Sequence, residues 1–309
     1  MAAAAPESHA ARVDALTPRV RHALGDTSVV IRPWREGLDF WADLAETGEF
    51  TGVLRSPRNE LHDTSYDGVV DFGEVVEKEV KALRLMSQAG IPVPRVLGWQ
   101  RGRPADPSWI LLSYVPHEDA PEIPLRQLGD LTRRLHDIRP QLPGLEPVSD
   151  WPAFVWQRLR KRLAAARAYC ELPSDERLET GVTALLQCRR EAATSLLHMD
   201  LRAANLCVRD GQITAIIDVA NCVVGDPLLE LGRIRGYGLL SKEFLTGYGL
   251  DISALQAGET TLLDIYELDT SALLTVVAVE EVGDLGLHQQ QAARTEQLAS
   301  GIAERVTAA

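Results

Sequence analysis

Cysteines are few in this sequence, and long apolar runs are missing from it. The four thiols have no CxxC spacing, so neither a disulfide scaffold nor a zinc site is predicted, and reduced thiols in a cytoplasm are expected. No apolar run approaches the roughly 20 residues needed to span a bilayer, so no membrane segment is predicted. The Ala-rich start, Met1 to Ala5, lacks the basic and then apolar pattern of a signal peptide. A soluble, cytoplasmic protein is expected. The cysteines are Cys170, Cys188, Cys207 and Cys222.

Basic residues are also in deficit. The chain has 32 Lys and Arg against 44 Asp and Glu, a formal charge of -12, and a pI near 5.1. Nucleic-acid binding needs clustered Lys and Arg, so it is not predicted. An acidic balance would suit a cationic substrate, although an acidic, solvated surface is the favoured interpretation. The 309 residues, 45% of them hydrophobic, suffice for one large core or two lobes.

The first third of the chain predicts a small mixed lobe. Short β-favouring runs separated by glycine turns indicate an antiparallel meander. A polar loop is expected next, followed by an amphipathic helix that ends at Gly90, and then by a buried strand. The predicted strands are 29–31, 40–44, 50–55 and 109–115, the loop is 59–68, and the helix is 72–89.

From Pro124 onward helical spacing dominates. Long helices are predicted at 154–169 and 177–193, then short strands near 196–198, 206–208 and 213–219, with Asp210-Gly211 as a hairpin turn. The prediction is an α+β, bilobal chain with its cleft near residues 115–120. We expect a flexible tail at 1–20, an N-terminal nucleotide-binding lobe at 21–115 and a larger, mainly helical catalytic and substrate-binding lobe at 116–309.

One segment has the spacing that phosphoryl transfer requires. His198, Asp200 and Asn205 form an HxDxxxxN pattern, and Asp218 follows 13 residues later at the end of an apolar run. Transfer needs one carboxylate to accept the proton of the attacking hydroxyl, and an amide and a second carboxylate to hold Mg²⁺ against nucleotide phosphates. The alternative is that Asp200 and Asn205 only cap turns. The flanking apolar strands favour the catalytic interpretation.

Three motifs together resemble one family. The segments 197–206 (LHMDLRAANL), 216–218 (IID) and 225–231 (GDPLLEL) are similar to those of the aminoglycoside phosphotransferase and choline kinase-like superfamily. The resemblance extends from about Val29 to about Gly249. It implies a protein-kinase-like fold and a small-molecule kinase that uses Mg²⁺ and ATP or GTP.

The resemblance also implies roles for individual residues. Asp200 would be the catalytic base, His198 would brace its loop, and Asn205 and Asp218 would bind Mg²⁺. Asp226 would tie its segment to the catalytic loop. Further residues would contact the nucleotide: Glu79 paired with a basic residue on the third strand, Arg55 as that residue, Gly37 in the phosphate loop, and Ser113 and Val115 at the adenine hinge.

The sequence departs from the family pattern at four of its positions. Met199 replaces a glycine, and Glu230 stands where aspartate is common. Arg55 takes the place of the expected lysine, and it can hold phosphates as a bidentate fork, although a solvated strand end is an alternative. The predicted nucleotide loop contains a single glycine, Gly37.

Charged clusters and tryptophans outside the motifs have simpler interpretations. The basic residues between Arg158 and Arg167 are expected to be a solvated helix face, and Trp151, Phe154 and Trp156 are expected to be core. Acidic residues of the C-terminal region could bind an amine-bearing substrate, and solvated faces explain them equally well. They are Glu259, Asp264, Glu267, Asp269, Glu280, Glu281 and Asp284.

The predicted function is transfer of a nucleotide γ-phosphoryl to a hydroxyl of a small polar molecule. An antibiotic or similar natural product is the favoured acceptor, which would make this a resistance or tailoring enzyme. The alternatives are a housekeeping kinase for a sugar, an amino alcohol or a fructosamine, and a pseudokinase that binds nucleotide without turnover. The sequence leaves open the acceptor, the choice of ATP or GTP, and the oligomeric state.

Overall fold

The computed structural model describes residues 8–102 and 106–308. Its strands are β1 (Val30–Glu36), β2 (Phe40–Glu46), β3 (Thr51–Pro57), β4 (Leu61–Thr64), β5 (Gly68–Asp71), β6 (Val96–Gln100), β7 (Trp109–Ser113), β8 (Ser195–Leu197), β9 (Leu206–Arg209), β10 (Gln212–Ile216) and β11 (Val223–Gly225). Its α-helices are α1 (His9–Leu24), α2 (Phe72–Gln88), α3 (Leu125–His136), α4 (Trp151–Ala166), α5 (Asp175–Gln187), α6 (Pro227–Gly236), α7 (Lys242–Tyr248), α8 (Ala257–Val277) and α9 (Leu285–Ala308). Single 3₁₀ turns occur at Arg190–Ala192, Ala203–Asn205, Val219–Asn221 and Ile252–Ala254, and Ala278–Val282 is π-helical.

The N-terminal part is built on a five-stranded antiparallel sheet in the order β1-β2-β3-β7-β6. Alternate residues of β7 face opposite sides, as the pleat requires. Trp109 and Leu111 pack with α1, whereas Ile110 and Leu112 belong to the larger core that includes α2. The expected meander, the helix after it and the buried strand are therefore confirmed.

The expectation of a flexible tail was wrong for residues 9–20. These residues form most of α1, which begins after Ser8, whose side chain accepts a hydrogen bond from the Ala11 N–H. Leu16 and Val20 are fully buried against the sheet. The helix forms because its apolar residues share one face, which the Ala-rich composition concealed. Residues 1–7 lie outside the described residues.

The predicted polar loop at 59–68 was also wrong. Strands β4 and β5 pair as a hairpin, with Leu61 opposite Asp71 and Thr64 opposite Gly68. Gly68 has φ +80°, which a side chain would disfavour. The turn of this hairpin holds Tyr66 and Asp67, and both contact the helical part of the chain.

The C-terminal part is mainly helical, with two short hairpin-like pairings that carry the motif residues. β8 pairs with β11 and β9 with β10, and the predicted turn at Asp210-Gly211 has positive φ at both residues. Trp151 and Trp156 are buried core residues as expected, and Phe154 is partly buried beside them. None of the described helices is long and apolar enough to cross a membrane.

Candidate active site

The Asp200 carboxylate lies in the loop between β8 and β9 and has three hydrogen-bond donors. The Tyr237 hydroxyl donates to Oδ1 at 2.6 Å, and Asn205 Nδ2 donates to Oδ2 at 2.7 Å. Arg202 Nε donates to Oδ2 at 3.1 Å. Burial alone would raise the pKa of Asp200, but the charges of Arg233 and Arg202 and the Tyr237 hydrogen bond lower it below its ordinary value. The carboxylate is therefore ionised at neutral pH.

The His198 side chain connects the Asp200 loop to the segment before Asp218. Its Nδ1 accepts a hydrogen bond from the Asp200 N–H at 3.1 Å, and its Nε2 lies 3.0 Å from the Ile217 carbonyl oxygen. A carbonyl can only accept, so the ring proton is on Nε2. The Ile217 N–H donates in turn to the Asn205 carbonyl at 3.0 Å, which joins the Asp200 loop to the segment before Asp218.

Glu230, and not Asp226, accepts hydrogen bonds from the backbone of the Asp200 loop. The Glu230 carboxylate accepts the backbone N–H groups of His198 at 2.8 Å and of Met199 at 2.6 Å. The expectation that Asp226 ties its segment to the catalytic loop is not met by its contacts among the described residues. Asp226 caps α6 and accepts two hydrogen bonds from the Arg189 guanidinium.

Met199 occupies a backbone conformation that favours glycine. Its φ is +68°, in the left-handed region, while its side chain is buried. A side chain in that region costs about 1–2 kcal/mol because Cβ approaches the following carbonyl oxygen. The two Glu230 hydrogen bonds to this loop help to hold the strained residue. The replacement of glycine by Met199 is therefore compensated by surrounding contacts.

Arg55 joins the sheet, helix α2 and the segment of Asp218. Its Nη1 donates to Glu79 Oε1 at 2.5 Å and its Nη2 donates to Asp218 Oδ1 at 2.6 Å. Glu79 is fully buried, and its burial raises its pKa while the charge of Arg55 opposes that rise. The solvated strand end considered for Arg55 is wrong, since only 12% of its side chain is exposed.

Asn205 and Asp218 offer oxygen atoms of the kind that Mg²⁺ prefers. Asn205 directs its Nδ2 to Asp200, which leaves the amide oxygen available, and Asp218 is 37% exposed and uses Oδ1 toward Arg55. Among the described residues, no cluster of three or more His, Cys, Asp or Glu could hold a metal ion. Two protein oxygens still fit Mg²⁺, because this ion usually takes few protein ligands and completes its shell with phosphates and water.

A family model supplies the decisive comparison. The model described as the phosphotransferase enzyme family matches residues 71–255, more than half of the chain. The chain belongs to this phosphotransferase enzyme family. The matched segment contains Glu79, the Asp200 loop, Asp218 and Asp226. The protein is therefore a phosphotransferase with an alcohol group as acceptor.

Solved structures confirm the bilobal, protein-kinase-like fold of the phosphotransferase. It is similar to a candidate fructosamine-3-kinase from Haemophilus somnus 129PT, with 17% identity, a TM-score of 0.68 and coverage of 94% of this chain and 97% of that one. It is also similar to a thermostable mutant of an aminoglycoside phosphotransferase in complex with ADP and hygromycin B, with 17% identity, a TM-score of 0.58 and coverage of 96% and 99%. A third is a GDP and kanamycin complex of another aminoglycoside phosphotransferase, with 13% identity, a TM-score of 0.61 and coverage of 92% and 98%. A search of curated proteins gives no match.

The main cleft of the phosphotransferase has a volume of about 1130 Å³ and brings the central predicted residues together. Arg55, Asp200 and Asp218 line it. Residues 115–120, where the cleft was expected, are not among its described lining residues. The Glu118 N–H donates instead to the Val208 carbonyl on β9.

The other residues that were expected to contact the nucleotide make hydrogen bonds within the protein. Gly37 lines the cleft, but its N–H donates to the Phe40 carbonyl at 2.8 Å and closes the β1–β2 turn, so this amide does not serve a phosphate. Ser113 and Val115 are not among the described lining residues. The Ser113 hydroxyl accepts the Arg95 N–H, and the Val115 carbonyl lies 2.9 Å from His117 Nδ1.

The basic residues of α4 are not a uniformly solvated face. Arg162 is 1% exposed, and its guanidinium donates to Asp67 and to Asp269. Arg158 donates to Asp269 through Nε, and both arginines line the cleft. The solvated-face prediction was therefore wrong for these two residues, whereas Arg160 is exposed as expected.

Three residues near Asp200 were missed by the sequence analysis. Arg202 lies inside the motif, and its position two residues after Asp200 was a signal for a nearby cation. Tyr237 and Arg233 belong to α6 and the residue that follows it, and no local pattern connects them to Asp200. They come near Asp200 only because the C-terminal end of α6 lies against the Asp200 loop.

Proposed function

We propose that this phosphotransferase transfers the γ-phosphoryl of ATP or GTP to a hydroxyl of a small polar molecule, with Asp200 as catalytic base. The observation that carries the proposal is the ionised Asp200 carboxylate, which lines the same cleft as Asp218 and Arg55. Phosphoryl transfer requires two carboxylates and an amide, which here are Asp200 and Asp218 at the cleft and Asn205 bonded to Asp200.

The low pKa of Asp200 decides what kind of base it is. A carboxylate with a lowered pKa is a weak base, so it accepts the proton late, as the hydroxyl oxygen bonds to phosphorus and the bond to the nucleoside diphosphate breaks. Asp200 therefore acts mainly by orienting the hydroxyl, which suits the loose transition state of phosphoryl transfer. Tyr237 and Asn205 fix its two oxygens, and His198 is a positioning residue.

The residues expected at the nucleotide belong mostly to the segment 21–115, which we propose as the nucleotide-binding lobe. Arg55, positioned by the buried Glu79, would contact the phosphates of the nucleotide. Ser113 and Val115 would lie near its nucleobase. Asn205 and Asp218 would hold Mg²⁺, which neutralises phosphate charge when it is bound. The similar structures named with ADP and GDP support a nucleotide co-substrate.

The remaining segment, 116–309, would bind the acceptor and carry the catalytic loop. An antibiotic or similar natural product is the favoured acceptor, in line with the similar structures named with hygromycin B and kanamycin. A metabolite kinase is the second candidate, and the similar structure named as a candidate fructosamine-3-kinase favours it.

The free thiols of the described chain support a reducing, cytoplasmic compartment.

The test is a mass-shift screen of hydroxylated antibiotics and metabolites with ATP or GTP and Mg²⁺. We expect one chemical class to gain a phosphoryl group, and Asp200→Asn to lower kcat by at least a hundredfold while nucleotide affinity stays within a fewfold. Arg160→Met, at an exposed position of α4, is the control that should leave turnover unchanged. Full turnover by Asp200→Asn would contradict the proposal.

A further inference from the structure

Three acidic residues of α8 are paired with arginines. Asp269 accepts from Arg158 and Arg162, and Glu267 accepts from Arg294 at 2.7 and 2.8 Å. Asp264 has two partners of the same kind, Arg235 and Arg305. These carboxylates are already paired, so they are poorly suited to bind an amine-bearing acceptor.

Arginines are concentrated where α4, α6 and α8 meet. Three guanidinium groups, those of Arg158, Arg162 and Arg233, share two carboxylates, those of Asp67 and Asp269. Arg158 reaches Asp269 through Nε, and among the described residues its two Nη groups have no recorded partner. The three guanidinium groups therefore have two direct carboxylate partners, and the charge of Asp200 reaches Arg233 across Tyr237.

Arg233 is the least satisfied member of this junction. Its side chain is 95% buried, and its Nη2 donates to the Tyr237 hydroxyl at 2.9 Å. Its Nε and Nη1 make no hydrogen bond within the described chain, and the 3.9 Å between Nη1 and Asp269 Oδ2 is too long for one. Leaving buried guanidinium donors unpaired costs free energy, and Arg233 lines the cleft, so an oxyanion that reached these donors would recover that free energy.

Arg233 is also close to the reacting group. Tyr237 accepts from Arg233 and donates to Asp200, so two hydrogen bonds, of 2.9 and 2.6 Å, connect the guanidinium to the catalytic carboxylate. All three residues line the same cleft. An anion bound at Arg233 would therefore belong to the molecule whose hydroxyl meets Asp200.

We propose that the acceptor is an anionic hydroxy compound, bearing a carboxylate or a phosphate that binds Arg233 and Arg158 while its hydroxyl meets Asp200. The proposal rests on the proposed function and narrows its acceptor class. Guanidinium forks bind planar or tetrahedral oxyanions through paired N–H donors. A cationic acceptor would instead be repelled by the same arginines.

The test compares acceptors that share a scaffold and differ in charge. The full-length protein with Mg²⁺ and ATP or GTP is offered D-glucuronate, D-glucose 6-phosphate, D-glucose and D-glucosamine at constant ionic strength, beside a mixed panel of hydroxy acids and their methyl esters. Phosphorylated product is detected by mass, and stabilisation of the fold by the rise in Tm. The carboxylate and phosphate members separate the two anion sources.

We expect kcat/KM to be at least tenfold greater for an anionic member than for its amine or ester counterpart. Where no member of the series is turned over, the anionic member should raise Tm more than its counterpart does. Arg233→Met should abolish this preference, Arg233→Lys should keep part of it, and exposed Arg160→Met should keep all of it. Arg158→Met provides a second test if Arg233→Met does not fold.

Three results would overturn the inference: a preference for the amine, no preference by charge in either measurement, or weaker nucleotide binding in Arg233→Met with acceptor preference intact. The last result would assign Arg233 to the nucleotide. Failure of the proposed function itself is distinguishable, because Asp200→Asn would then leave phosphoryl transfer unchanged.

Discussion

The Tyr237 hydroxyl donates a 2.6 Å hydrogen bond to Oδ1 of Asp200. Burial and the neighbouring Asp200 charge raise the pKa of Tyr237 to about 12, so the phenol keeps its proton at neutral pH and always donates. The bond stabilises the ionised form of Asp200 and fixes the direction of its other oxygen. Tyr237 is therefore expected to control both the charge and the orientation of the proposed base.

Removal of this hydroxyl should change the pH dependence of catalysis. Tyr237→Phe deletes one of the interactions that lower the pKa of Asp200, so that pKa rises and the acid limb of kcat/KM moves to higher pH. The folding contribution of ionised Asp200, present above about pH 4 and lost as pH falls through its folded pKa, should shrink as well. A rate profile and urea unfolding at several pH values measure both effects.

Tyr169→Phe is the matched control for this substitution. It also deletes a hydrogen bond from a tyrosine to a carboxylate, that of Glu280 at 3.0 Å, but it leaves the Asp200 loop untouched. Its acid limb should coincide with that of the unmodified protein. An unshifted limb in Tyr237→Phe would show that the hydroxyl does not tune Asp200.

Removal of the Arg55 charge should destabilise the fold. Arg55→Met leaves the buried Glu79 carboxylate without its cation, at a cost of about 3–5 kcal/mol, whereas Arg55→Lys keeps a charge but cannot span Glu79 and Asp218 as a fork. The midpoint of urea unfolding should therefore fall for Arg55→Lys and should fall further for Arg55→Met. Equal midpoints for Arg55→Met and for the exposed control Arg84→Met would contradict the pairing.

Glu230→Gln should loosen the Asp200 loop. The amide can accept one backbone N–H through its oxygen but turns N–H groups toward the other, so one donor of His198 or Met199 loses its partner. We expect a loss of about 1–3 kcal/mol in unfolding free energy, together with a lower kcat. Exposed Glu243→Gln controls for the loss of charge, and comparable stabilities of the two variants would refute the bracing role.

At Met199 the usual ranking of alanine above glycine should reverse. Both Met199→Ala and Met199→Gly remove the buried side chain, but only glycine relieves the positive φ. The glycine variant should be the more stable of the two by about 1 kcal/mol, and both should be less stable than the natural protein. Thermal unfolding checks the order, and a more stable alanine variant would show that no strain is stored there.

The HxDxxxxN segment and its flanking strands could be located from the sequence because their information is local. His198, Asp200 and Asn205 lie within eight residues, and the strands on either side are marked by their own apolar runs. The pairing of Arg55 with Glu79 could be expected only through the family resemblance. Spacing along the chain does not indicate which strand faces which helix.

The errors have a common physical cause, which is partners distant in sequence. The local sequence predicts that Arg162 is solvated. In the structure it is buried against Asp67 and Asp269, which are 95 and 107 residues away along the chain. Tyr237 reaches Asp200 across 37 residues. Helix α1 was missed because the sheet surface that buries its apolar face is not visible in its own sequence.

The hairpin of β4 and β5 connects the two parts of the chain through Arg162. Asp67 from that hairpin and Asp269 from α8 share this one buried guanidinium, and Tyr66 donates nearby to Glu281. Moving the sheet away from the helices would remove the Asp67 carboxylate from Arg162 while its guanidinium stays buried. Leaving a buried charge without its partner costs free energy. The hairpin therefore holds the sheet against α4 and α8 through ion pairs as well as packing, and separating them at this contact would cost Arg162 one of its two carboxylate partners.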